Sequence, residues 1–123
     1  MAELSDLHLK MLREESAISD AAIQARGYRT ITDPAELRKL GFAPSQRRVP
    51  GLLLPLWTTD GQNGLNVYRP DNPRVVRDRK TGQGKAVKYE VPKGAGTRLD
   101  CPPVCRPMLG DPSVRLWITE GQK

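Results

Sequence analysis

Apolar residues at Leu4, Leu7 and Met11 recur at intervals of three and four, which places them on one face of a first helix capped by Ser5 or Asp6. A second helix is predicted in ISDAAIQARG. Ser19 is its N-cap, Ile18 and Ile23 form a hydrophobic staple across the first turn, and Gly27 suits the left-handed position that ends it. A third follows in DPAELRKLG, with Asp33 as N-cap, Pro34 at the first helical position, Glu36 closing a capping box and Gly41 as terminator. Leu37 and Leu40 point to its core side.

After Pro44 the period shortens. Gly51 to Trp57 is a continuous apolar run, DGQNG at 60–64 is rich in turn formers, and Leu65 to Tyr68 alternates, so the three read as a β-hairpin. Pro55 cannot donate to a ladder, which predicts that its strand is at an edge or bulged there. Residues 69–86 are polar and basic and read as an exposed loop or a long hairpin tip. Val87 to Val91 reads as a short strand and CPPVCRP as an extended connection. Arg115 to Thr119 is apolar enough to be a strand buried on both faces. The expected fold class is α+β: short N-terminal helices followed by a small, mainly antiparallel sheet.

Composition narrows the picture. Only 37% of the 123 residues are apolar and 5% aromatic, while glycine and proline contribute 11 residues each, so a modest core carries long connections. Charge is unevenly placed. Residues 47–106 hold twelve Lys/Arg against five Asp/Glu, whereas 1–46 hold six against seven, so the excess behind the net +6 sits in the middle of the chain. A polyanion is the natural partner of such a segment, because each neutralised phosphate releases counterions. The first ten residues lack a basic stretch leading into an apolar one, which argues against a signal peptide, and the longest apolar run is far below a membrane span. A cytoplasmic location without membrane contact is expected.

Candidate chemistry is sparse. Cys101, Cys105 and His8 are the only cysteines and histidine, too few for a structural zinc site. Arg74, Arg77, Arg79 and Lys80 are placed to touch phosphates without reading sequence. Tyr68 and Tyr89 can stack nucleobases or pack in a half-buried strand. Trp57 and Trp117 are assigned to the core, and Asp60 and Asp71 to turns. Glu120, after the strand-like LWIT, stands where a sheet presents a carboxylate at its carboxyl edge.

The order of these pieces carries a resemblance. Ile18-Ser-x-x-x-Ile with Gly27-Tyr28, the 51–70 hairpin with its Tyr-Arg-Pro exit, Lys88-Tyr89-x-x-Pro92 and Trp117-Ile-Thr-Glu-Gly121 follow one another over about residues 16–123. This resembles DnaG-type primases just before and into the Toprim domain. It is more similar still to Toprim-like proteins that phages, plasmids and integrative elements carry near a helicase. The resemblance implies a helical segment at 1–46, a basic β-rich template-binding subdomain at 47–113, and at 114–123 the first strand and Glu-Gly turn of an incomplete Toprim-like α/β domain. Glu120 matches the Toprim glutamate, Lys88 and Tyr89 the Lys-Tyr element beside the template cleft, and Arg69 the basic residue leaving the hairpin. Lys85 and Lys93 complete the expected single-stranded DNA or RNA interface. The pattern is broken by the lack of a following Asp-x-Asp and of zinc-ribbon cysteines in front, so the chain is expected to be a fragment, inactive by itself. Mg²⁺ is expected only in a full-length protein, since one glutamate does not make a two-metal site. A replicative helicase domain is a further expected partner.

Two other readings compete. The helices at 19–26 and 33–40 could form a helix-turn-helix for duplex DNA, although the basic excess lies downstream of them. The uncharged run 49–57 could be a docking surface in a protein that tethers a helicase.

Overall fold

The computed structural model describes residues 3–120. Its helices are α1 (Asp6–Lys10), continued by a π-helical turn (Met11–Glu15), α2 (Asp20–Arg26) and α3 (Pro34–Lys39). Its strands are β1 (Arg29–Ile31), β2 (Gly51–Trp57), β3 (Asn63–Pro70), β4 (Val75–Arg77) and β5 (Gly84–Ala86). The fold is α+β, with a three-stranded antiparallel sheet in the order β1-β2-β3 and a separate two-stranded ribbon, β4-β5.

Local signals set the helix ends. The Ser5 hydroxyl accepts the His8 N–H at 3.2 Å and the Ser19 hydroxyl that of Ala22 at 3.2 Å. Gly27 closes α2 at φ 72, the left-handed conformation that a side chain resists. The Asp33 carboxylate caps α3 through the Ala35 N–H, but Glu36 does not complete a capping box, because its carboxylate is drawn to Arg29 Nη1 at 2.6 Å. The first helix also departs from expectation. Leu7 is 61% exposed, and the buried face is instead His8 and Leu12, spaced by four, with Leu4 and Met11 at its margin.

Strand β2 explains its continuous apolar run by lying between two cores. Leu52, Leu54 and Leu56 point to one face, where they meet Leu12, Ile23, Tyr28 and Val67. Leu53 points to the other, among Ile31, Leu37, Phe42 and Tyr68. Residues before and after position 46 therefore share both cores, because β1 is zipped to β2 from Arg29↔Leu53 to Ile31↔Gly51. Burying each large aliphatic or aromatic side chain stabilises by about 1.5–3 kcal/mol, so these dozen residues dominate the fold. Pro55 sits in this central strand rather than an edge strand. It is tolerated because β1 reaches only Leu53, and the irregularity in the β2–β3 pairing falls just beyond, at Leu56/Trp57. Past Leu53 the free side of β2 is met by other groups. Arg26 Nη2 donates to the Pro55 carbonyl at 3.4 Å, the Trp57 N–H donates to Asp100 Oδ1 at 2.9 Å, and the Trp57 carbonyl accepts the Cys101 N–H at 2.7 Å.

Several connections differ from their predicted form. VKYEV contributes one bridge, Tyr68↔Glu90, rather than a strand. CPPVCRP is not extended: Pro103–Met108 forms a 3-10 helix. Trp57 is only half-buried, with its indole N–H on the Arg26 carbonyl at 3.1 Å. The segment 115–119 is neither a strand nor buried, with Leu116, Trp117 and Ile118 at 73%, 79% and 77% exposure. Trp117 is thus a surface residue, stacked under Arg115 at 5.8 Å. Strand propensity needs a partner ladder to act, and this segment pairs with neither sheet.

Candidate nucleic-acid interface

The basic segment folds into a ribbon standing on the end of β3. Val75, Val76 and Arg77 pair with Ala86, Lys85 and Gly84, and the Val87 N–H returns to the Arg74 carbonyl at 2.9 Å, closing its base. At the tip the Asp78 carboxylate accepts the Lys80 N–H at 2.8 Å and the Asp78 carbonyl that of Gly82, so Asp78 organises the turn. Residues opposite each other share a face, which puts Arg77 and Lys85 on opposite faces of the ribbon. Arg77, Arg79, Lys80 and Lys85 are all exposed, and none has an ion-pair partner within 4 Å among the described residues.

Arg74, expected to share that role, has another one. Its Nε and Nη2 donate to the two oxygens of Glu90 at 2.7 and 3.0 Å. Glu90 is 3% exposed and also receives the Gln46 amide at 3.3 Å. A bidentate pair of this kind neutralises a carboxylate that burial would otherwise penalise, and it fastens the root of the ribbon to the body. The hydrogen bonds to Glu90 raise the Arg74 guanidinium further above its already high range.

Between α1, the π-helical turn and the ribbon root lies a cleft of about 270 Å³. Leu7, Met11, Pro70 and Pro73 give it apolar walls, and Arg69 and Lys88 bring two cations to it. The Arg69 guanidinium lies 5.7 Å from the centre of the Tyr89 ring and donates to the Met11 sulfur at 3.0 Å. The predicted Arg69, Lys88 and Tyr89 group is therefore brought together, and Lys88 is exposed. Lys93 is exposed but does not line this cleft.

Tyr68 cannot stack a nucleobase. It is fully buried, its hydroxyl donates to the Arg48 carbonyl, and its ring meets Phe42 edge-on at 5.9 Å. Burial holds its hydroxyl far above the ordinary tyrosine range. Gly51 makes room for it: a Cβ there would lie 2.3 Å from the Tyr68 oxygen.

Asp60 does form a turn, accepting from the Thr58 hydroxyl, which lowers its carboxyl below the usual range. Asp71 does more. Its Oδ1 lies 2.6 Å from His8 Nε2, while His8 Nδ1 lies 2.6 Å from the Thr30 hydroxyl. The sequence offers no local signal for this bond across 63 positions. Nor does it offer one for the clasp of Arg26 on Asp100 at 2.6 Å.

Glu120 is exposed and lies on no strand. Among the described residues no group of three His, Cys, Asp or Glu side chains is placed to hold a metal ion. Cys101 and Cys105 are free thiols. No helix among the described residues is long and apolar enough to cross a membrane. The helix-turn-helix arrangement does not form, since β1 is interposed between α2 and α3, and the 49–57 run is largely buried in β2 rather than available for docking. The chain matches no protein-family model, no curated protein and no solved structure.

Proposed function

We propose that the chain holds single-stranded nucleic acid, as the template-binding part of a primase-type replication protein of a mobile element acting in the cytoplasm, and that it is not catalytic by itself. The observation that carries this reading is the ribbon. It presents four unpaired cations to solvent beside a cleft that contributes two more, Arg69 and Lys88. Phosphates along one strand can neutralise both groups in turn. A single strand is favoured over a duplex because the cleft combines apolar walls with a planar guanidinium on which an unpaired base can stack. The primase assignment rests on the order of the Ile-Ser, hairpin, Lys-Tyr and Glu-Gly elements. Primer synthesis would need acids, Mg²⁺ and a helicase partner supplied by other parts of such a protein.

Fluorescence anisotropy with a labelled oligothymidylate, its RNA counterpart and a duplex of equal length, each titrated against salt, tests the proposal. Replacing Arg77, Arg79, Lys80 and Lys85 together by Gln should reduce the slope of log affinity against log salt by about 3, at roughly 0.7 per phosphate on a single strand. Tighter binding of the duplex, or an unchanged slope in the variant, would defeat the reading.

A further inference from the structure

Arg69, near the end of β3, and Asp71, one residue past it, line the same cleft. The Asp71 N–H donates to the Pro50 carbonyl at 3.0 Å, just beyond the Gly51↔Pro70 pair that ends the ladder. An arginine and an aspartate so placed ordinarily neutralise each other. Here they do not: Arg69 has no carboxylate within 4 Å among the described residues, and its Nη1 points to the weak acceptor Met11 Sδ. The Asp71 carboxylate is taken by His8 Nε2 at 2.6 Å.

His8 is fully buried and bonded through both ring nitrogens, so it cannot swing away. Thr30, on β1, fixes its other side at 2.6 Å and itself accepts the Ser5 N–H at 2.8 Å. In the neutral ring Nε2–H donates to Asp71, and Nδ1 accepts the Thr30 hydroxyl proton. We infer that His8 is a positioning residue that keeps Arg69 open to a phosphate by holding the Asp71 carboxylate away from it. The inference deepens the proposed nucleic-acid reading and rests on it. Glu15 and Lys88 are the remaining charged groups of the cleft, and Glu15 forms no ion pair with Arg69 within 4 Å.

The test is the salt dependence of oligothymidylate binding by the full chain and four variants. Arg69→Gln should lower the slope by about 0.7, one phosphate contact. His8→Phe keeps the ring shape but neither nitrogen. It should release Asp71 onto Arg69, lower the slope by the same amount and weaken binding roughly tenfold, the scale of one charge-assisted hydrogen bond. Adding Asp71→Asn to His8→Phe should restore the wild-type slope, which a merely structural role for His8 does not predict. Asp71→Asn alone should leave the slope unchanged, because Arg69 is already free. A slope that rises in Asp71→Asn, or that stays low in the double variant, overturns the inference. If His8→Phe loses its cooperative melt, the Asp71→Asn single variant decides. If the four-residue ribbon variant flattens the slope and Arg69→Gln does not, this inference falls while the ribbon reading stands. If the wild-type chain shows no salt-dependent binding, both fall.

Discussion

Gly51→Ala adds one methyl group where the central strand passes the Tyr68 ring. The new Cβ would stand 2.3 Å from the Tyr68 oxygen, 2.4 Å from Cζ and 2.7 Å from Cε1, all closer than the 3.0 Å below which something must shift. The ring cannot turn aside freely. It is fully buried, edge-packed on Phe42 at 5.9 Å and bonded through its hydroxyl to the Arg48 carbonyl. Relief must come from parting β2 from β3 or from giving up that hydrogen bond. Overpacking by a methyl group costs about 1–3 kcal/mol and the hydrogen bond about 1 kcal/mol, so the expected loss is about 2–4 kcal/mol. In a chain of this size that lowers Tm by roughly 10 °C. Urea unfolding followed by circular dichroism gives the loss directly, with the slope against urea expected to stay constant. Tyr68→Phe removes the nearest clashing atom, so the double variant should lose less than the two single variants added together. A loss under about 0.5 kcal/mol for Gly51→Ala, within the range of neutral surface changes, would show that the ring is not wedged over Gly51.

Two further outcomes follow from neighbouring groups. Arg74→Gln leaves the buried Glu90 carboxylate without its bidentate partner and should cost about 3–5 kcal/mol, whereas Arg77→Gln, three residues away on the exposed ribbon, should cost under about 0.5 kcal/mol; equal losses in thermal melts would refute the division between root and ribbon. Burial raises the hydroxyls of both Tyr28 and Tyr68 above the ordinary tyrosine range. The neutral forms are therefore favoured in the folded state, and stability is fully present below pH about 10 and falls as pH rises beyond it, by up to about 1.4 kcal/mol per pH unit for each tyrosine. Ultraviolet titration should show two of the three tyrosines ionising only as the chain unfolds, and early ionisation of all three would contradict their burial.

What could be read from the sequence was what neighbours in the chain decide. The Ser19 cap and the Gly27 terminator act within one helix, and the hairpin at 51–70 closes on a short turn. β1 was missed because Arg-Thr-Ile is three residues long and mixed in character, and only pairing to β2 makes it a strand. The apolar pattern of 115–119 says what that segment can bury, not that a surface is present to receive it. In the interface, the basic excess of the ribbon was visible, yet Arg74 and Arg77 look alike in sequence. Only the fold, by setting Glu90 beside one of them, separates a fastening residue from a free cation.

The free side of β2 beyond Leu53 bears on how the protein avoids associating with itself. An open strand edge is a template for another chain's backbone. Here Pro55 has no N–H to offer, its carbonyl faces Arg26, and the N–H and carbonyl of Trp57 are occupied by Asp100 and Cys101. An incoming strand finds no continuous row of donors and acceptors on this edge. The proline that interrupts the most apolar stretch of the chain thus acts as a gatekeeper, removing a hydrogen-bonding site where edge-to-edge aggregation would otherwise begin.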